Sequence, residues 1–250
     1  MGERLDVRLI SFFAASLLAL FASGCASSTT SDGISDPLEP INRQIFAFNH
    51  SLDKHAALPA ASYYKAAMPG GVREGVHNFL SNLSEPVTFA NDVLQGQPAR
   101  AGMSACRFGV NTTIGVIGVL DPATDMGCVQ HEEDFGQTLG VYGVPGGPYL
   151  VLPFLGSSLP RDAFGKIVVD HFFSPVGYVS YNGKIYVTLV QTALSTVDSR
   201  SRAINAVRDI ERNSIDYYAA MRSIYIQRRE SQIRNDQANS VTTPFDAPKP

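Results

Sequence analysis

Five histidines stand at positions 50, 55, 77, 131 and 171 with no grouping that singles out a catalytic base, and His131 is the one whose run could suggest metal or acid/base work. It opens the run HEED, His131 to Asp134. A zincin site needs two histidines four apart around a glutamate, because that spacing puts both imidazoles on one helix face. Position 135 is Phe, so the run reads as a solvated acidic turn. Gly165-Lys166 and Gly183-Lys184 lack both the earlier glycine and the following Ser or Thr of a phosphate-cradling loop. Gly156-Ser157-Ser158 runs into Leu159 and forms no nucleophile elbow. The expectation is a chain without catalytic residues, metal or cofactor.

The three cysteines carry a different chemistry. Arg4 and Arg8 precede the uncharged stretch LISFFAASLLALFASG, which ends in small residues and meets Cys25. The stretch is short for a comfortable membrane span and is built like a secretory signal. FASGC resembles a bacterial lipobox, in which the cysteine is acylated and becomes the first mature residue. Each buried acyl methylene contributes about 0.8 kcal/mol, so several chains make a lasting tether. Ala26 is not the aspartate that retains such proteins in the inner membrane, which favours the outer membrane, with the body on its periplasmic side. Cys106 and Cys128 are then the only unmodified cysteines in an oxidising compartment. A disulfide and a pair of buried thiols are both open, because Cys106 also lies on an apolar helical stripe.

The elements that follow are mostly helices. With 250 residues, 44% hydrophobic and 17% charged, the chain has enough apolar content for one sizeable domain. A net charge of −3 with no Lys/Arg run excludes a phosphate-neutralising nucleic-acid surface. Residues 1–24 are the signal, and 25–35, ASSTTSDGIS after the cysteine, form a flexible tether. A helical domain occupies 36–234, and 235–250, rich in proline and without periodicity, is a disordered tail. Asp36 is placed to cap the first helix, with Pro37 at its first turn and Glu39 completing a capping box.

Leu38, Ile41, Ile45, Phe48 and Leu52 make one apolar face at spacings of three and four. Val72, Val76, Phe79 and Leu83 make another, and Ala99, Met103, Cys106, Val110 and Ile117 a third. Pro86 to Gly96 reads as a short separate helix. Val187 to Val197, and then Ala203 through Ile224, continue the pattern. Asn182-Gly183 fits either a hairpin turn or a loop leading into a helix. Two apolar stretches resist periodicity: IGVIGVL, Ile114 to Leu120, and the glycine- and proline-rich GVPGGPYLVLPFLG, Gly143 to Gly156. Each is core in water, or surface in a membrane interface.

Several separated blocks resemble the MlaA/VacJ lipoproteins of Gram-negative outer membranes: DPLEPINRQIFAFN from Asp36, NFLSNLSEPVTFANDVLQG from Asn78, RFGVNTTIGVIGVLDPA from Arg107, EDFGQTLGVYGV from Glu133, GPYLVLPFLG with Arg161-Asp162, and DYYAAMRSIYIQRR from Asp216. Ser157 and Pro160 depart from the family's usual proline and leucine at those places. The resemblance implies a mainly α, ring-like arrangement of amphipathic helices lying in one leaflet around an amphipathic channel, with the Gly/Pro-rich segment irregular. It implies removal of misplaced phospholipids from the outer leaflet and delivery to a soluble periplasmic carrier, in association with a trimeric porin. Tyr142, Gly146, Gly147, Tyr149, Leu150, Pro153 and Phe154 are the candidates for channel lining or porin contact. The alternative is a structural or adhesion lipoprotein that binds porin and moves no lipid.

Overall fold

The computed structural model describes residues 36–174 and 184–235. The signal, Cys25, the tether, the Asn182-Gly183 turn and all of the tail after Asn235 lie outside the described residues. The described part is mainly helical. It begins with α1 (Glu39–Leu52), runs through a π-helical turn (Asp53–Ala57) into α2 (Leu58–Ala67), and continues with α3 (Gly70–Leu94) and α4 (Pro98–Thr113). Next come the short α5 (Pro122–Asp125) and α6 (Phe135–Val141), a two-stranded hairpin of β1 (Leu150–Leu152) and β2 (Gly156–Ser158), and α7 (Pro160–Phe164). A second π-helical turn (Gly165–Val169), α8 (Asp170–Phe173), α9 (Lys184–Asn213) and α10 (Tyr217–Ile233) follow. No described helix is long and apolar enough to cross a membrane.

The helix boundaries follow local chemistry, with three departures from expectation. Pro59 has no N–H and its ring crowds the carbonyl of residue 55, so the turn before it widens and Leu58 donates back to Asp53. Pro86 does not begin a helix. It lies inside the 25-residue α3, which ends at Gln95 ahead of the left-handed Gly96 (φ 69°). Asp36 does not cap α1: Leu38 holds that position, and the Asp36 side chain is drawn into the interior instead. The run from Ala203 to Ile224 is broken after Asn213, where Asp216 caps α10 by accepting from the Ala219 amide.

The hydrophobic core is small. Tyr149, Val151 and Tyr218 form it, with Ile45, Phe46, Tyr225 and Ile226 packed around them, where the hairpin meets α1 and α10. Tyr149 meets Tyr218 and Tyr225 edge-on, with ring centroids 6.1 and 6.2 Å apart. Elsewhere the ordinary arrangement is reversed. Among the described residues, buried polar and charged side chains outnumber buried hydrophobic ones, while Ile41, Phe48, Leu52, Val72 and Ile117 from the predicted apolar faces stand exposed.

Candidate functional site

The reversal is clearest between α3 and α4. On α3 the inward residues are Asn82, Glu85, Thr88, Asn91 and Asp92; on α4 they are Ala101, Ser104, Arg107 and Asn111. Both series keep helical spacing, so each helix carries a polar stripe opposite its apolar one. Arg107, 2% exposed, donates to Glu85 at 2.7 Å, and its other nitrogens reach Asp121, Thr124 and the Cys128 carbonyl. Asn111 donates to Asp121 and accepts from the Ala123 amide. The loop after α4 is thereby tied down at its polar atoms.

Cys106 and Cys128 are joined in a disulfide, their Cα atoms 6.3 Å apart, across the same loop. Closing a loop of this length contributes about 3 kcal/mol in the chain-entropy account. HEED is only partly solvated: Glu132 is exposed, and the other three are held by partners. His131 bonds Asp92 at 2.8 Å, Glu133 pairs with Arg100 and Gln95, and Asp134 caps α6 and pairs with Arg229. Sequence spacing could not show this, because Arg229 lies 95 residues from Asp134. Burial pushes the carboxyls of Glu133 and Glu85 upward against the pull of their arginines. Burial acts the same way on Asp134, but the Arg229 hydrogen bonds win and hold it below the usual range.

Ser104, His131 and Asp92 touch one another, yet both partners contact the same imidazole nitrogen, Nε2. A catalytic relay needs the base and its orienting acid on opposite ring nitrogens. Among the described residues no His, Cys, Asp or Glu cluster could hold a metal ion.

The sequence-predicted candidates cluster at the hairpin. Leu150, Val151 and Leu152 pair antiparallel with Ser158, Ser157 and Gly156. The free edge of β1 is satisfied by two side-chain amides two turns apart on α1. Asn42 donates to the Tyr149 carbonyl and accepts from the Val151 amide, both at 2.9 Å. Asn49 does the same for Leu152 and Phe154, again at 2.9 Å. Asn42 also donates to Asp36, which in turn accepts from Tyr218 and Arg222.

The candidate residues therefore divide. Tyr149 is fully buried and bonds Ser157, so it shapes the core and has no surface to offer a lipid or a porin. Leu150 is half-buried. Pro153 and Phe154 form the exposed tip, with Phe154 74% exposed at φ 66° and edge-on to Phe48 at 5.6 Å. Tyr142 is exposed and its hydroxyl donates to the Leu94 carbonyl. A Cβ on Gly146 would meet the end of the Leu159 side chain at 2.6 Å, which that side chain can yield, whereas Gly147 is left-handed at φ 81°, a conformation that favours glycine. Asn42, Asn49, Arg107 and Arg229 were not singled out by the sequence as site residues. Their signal there is membership of the blocks that carry the family resemblance, Asn42 and Asn49 in the first of them.

Asp170, at the start of α8, accepts from Asn91 and from the Phe135 amide, with Asp134 and Lys166 nearby. Burial pushes its carboxyl up to about 6. Its folded value thus lies above the unfolded value of about 3.9, so the stability it contributes is full below pH ~4 and lost as pH rises through ~6. Asp170→Asn keeps the accepting oxygen and should add about 2–3 kcal/mol at pH 7.5, flattening stability between pH ~4 and ~6. Melts of wild type and variant that run parallel across that window would contradict this.

The whole folded region has recognisable relatives. Residues 34–232 match the family model described as MlaA lipoprotein. The chain is 35% identical over 212 residues to the intermembrane phospholipid transport system lipoprotein MlaA of Escherichia coli K12, covering 83% of this chain and 82% of that protein. It is 30% identical over 225 residues to the Haemophilus influenzae protein of the same name, covering 88% of each. An uncharacterized protein of Rickettsia felis is 34% identical over 215 residues, covering 86% and 82%. A structure solved in work on the structural basis for maintenance of bacterial outer membrane lipid asymmetry superimposes with a TM-score of 0.72 at 33% identity, covering 80% of this chain and 99% of that one.

Proposed function

The chain belongs to the MlaA lipoprotein family, and from that premise we propose that it removes phospholipids misplaced in the outer leaflet of the outer membrane and hands them to a soluble periplasmic carrier. The observation that carries the proposal is the reversed burial, with charges and amides inside and aliphatic and aromatic side chains outside. Hydrocarbon is the solvent in which that arrangement is favourable, because outward apolar groups are at no cost there and every polar group must be satisfied within the protein.

The body then lies in the inner leaflet, held additionally by acyl chains on Cys25, with its helices ringed around a path for the headgroup. Tyr142, Leu150, Pro153 and Phe154 stand at the mouth of that path or against a trimeric porin. The lipid moves without covalent change: its headgroup is handled by amides, carboxylates and guanidinium groups, and its acyl chains by the apolar exterior.

The test uses the hairpin tip, since removing all of 149–155 would also delete the core residue Tyr149. Phe154→Asp combined with Leu155→Asp puts two charges where lipid passes while sparing the core. In cells lacking the wild-type gene, phosphatidylethanolamine at the surface is read with a membrane-impermeant amine reagent. Wild-type protein should clear it, and the double variant should clear it at least about tenfold more slowly at equal abundance. Equal clearance would defeat the channel role of the tip. Purified protein that binds porin but never carries phospholipid would favour pure adhesion.

A further inference from the structure

The seven residues Ile114 to Leu120, between α4 and α5, contain only Ile, Val, Leu and Gly. Ile114 is 65% exposed and Leu120 55%, and Val116, Ile117 and Val119 are exposed as well. The backbone beneath them is closed on itself. Amides of Ile114 and Gly115 donate to Val110, Ile117 to Thr112, Gly118 to Asn111, Val119 to Val116 and Leu120 to Gly115. Thr113, at the entrance, turns its hydroxyl back onto the Gly109 carbonyl at 2.7 Å, and Asp121, at the exit, points inward to Asn111 and Arg107.

The loop is costly to form. Val116 and Ile117 are both left-handed, at φ 54° and 58°, a conformation that β-branched residues seldom adopt. Gly118 is left-handed at φ 87°, and a Cβ there would meet Asn82 at 2.6 Å. Asn78 donates to the Val119 carbonyl from α3. In water this strained backbone would hold five large aliphatic side chains out of any core, with nothing gained.

We infer that Ile114–Leu120 is a preformed insertion element whose partner is the acyl chains of the bilayer, fixing the depth of this side of the protein in the leaflet. The inference rests on the membrane location proposed above. Two features favour lipid over a protein partner. The surface offers aliphatic groups of similar size and none of the aromatic or arginine anchors on which protein interfaces depend. Six of its seven amides are already used, four on carbonyls of α4 and two within the loop, so it has few donors to offer a strand or loop laid against it, which suits hydrocarbon.

The chain contains no Trp, so single reporters need no background removal. Ile114→Trp, Leu120→Trp, the hairpin-tip Phe154→Trp and, as a control at an exposed position among the charges Asp209, Glu211 and Arg212 near the end of α9, Arg208→Trp are placed separately in the full acylated chain. Each is reconstituted in phosphatidylethanolamine–phosphatidylglycerol vesicles with acyl chains brominated at shallow or deep positions, and circular dichroism checks that the helix content is retained. The two loop reporters should emit blue-shifted light and be quenched by bromolipid several-fold more than Arg208→Trp. If they match Arg208→Trp while Phe154→Trp is quenched, the body is in the membrane and the loop inference fails. If Phe154→Trp is unquenched too, the membrane location fails with it. Loop reporters that become shielded only when porin trimers are added, without bromolipid quenching, would assign the loop to a protein partner and overturn the inference.

Discussion

Arg107→Ala is expected to destabilise the protein by about 3–5 kcal/mol, read by chemical denaturation in detergent with circular dichroism. The guanidinium is 2% exposed and Glu85 3%, so removing one leaves the other charged, buried and unpaired. Thr124, Asp121 and the Cys128 carbonyl lose the same donor, which frees the loop that Arg107 and the disulfide hold jointly. Arg107→Lys should recover little, because a single ammonium cannot reproduce a planar fork that serves four acceptors. Replacing both partners, Glu85→Leu with Arg107→Met, should recover about 1–4 kcal/mol of that loss, since the cost of burying two charges disappears with the pair while Asp121, Thr124 and the Cys128 carbonyl still lack their donor. Single and double variants of equal stability would mean that the pair is solvated and the interior is not as dry as its burial implies.

Asn42→Ala should cost roughly 2–4 kcal/mol and loosen the hairpin selectively. Its amide uses both donors, to Asp36 and Tyr149, and accepts from Val151; without it the Tyr149 carbonyl and Val151 amide are left buried and unpaired. Hydrogen exchange should accelerate at 149–158 well before it does in α3 and α4. Asn42→Asp is the sharper variant. It could still accept from Val151, but it would set a carboxylate against Asp36 at hydrogen-bonding distance, so it should be worse than alanine near neutral pH. Clearance of surface phospholipid should fall with both variants, because the tip that carries Phe154 is positioned through the same edge. Unchanged exchange in the hairpin would show that β2 and Tyr149 hold it without help from α1.

Most helices were legible because a repeat of three and four survives any choice of surroundings. α1, α3 and α4 appear where Ile41, Phe79 and Met103 recur with their neighbours, and Gly96 stops α3 as expected. The joining of the two predicted pieces of α3 across Pro86 was not legible, since local rules make an interior proline a break and only packing on both sides keeps the helix running. HEED misled for a related reason: four residues rich in charge look solvated until Arg100 and Arg229, distant in the chain, arrive to pair with them.

By itself the sequence determined that the chain is mainly helical and that its blocks are those of one family. Tertiary structure decided which face of each helix is inside. A hydrophobic stripe divides a helix into two sides but carries no label for the solvent, and here Asn82, Glu85 and Arg107 are inside while Ile41, Phe48 and Ile117 are outside. It also decided that Cys106 and Cys128 are bonded, and that GVPGGPYLVLPFLG is a hairpin with one tyrosine in the core and one phenylalanine in the open. Those outcomes depend on groups distant in the chain meeting, 22 residues apart for the cysteines and 109 for Asn42 and Val151, and no local pattern contains those meetings.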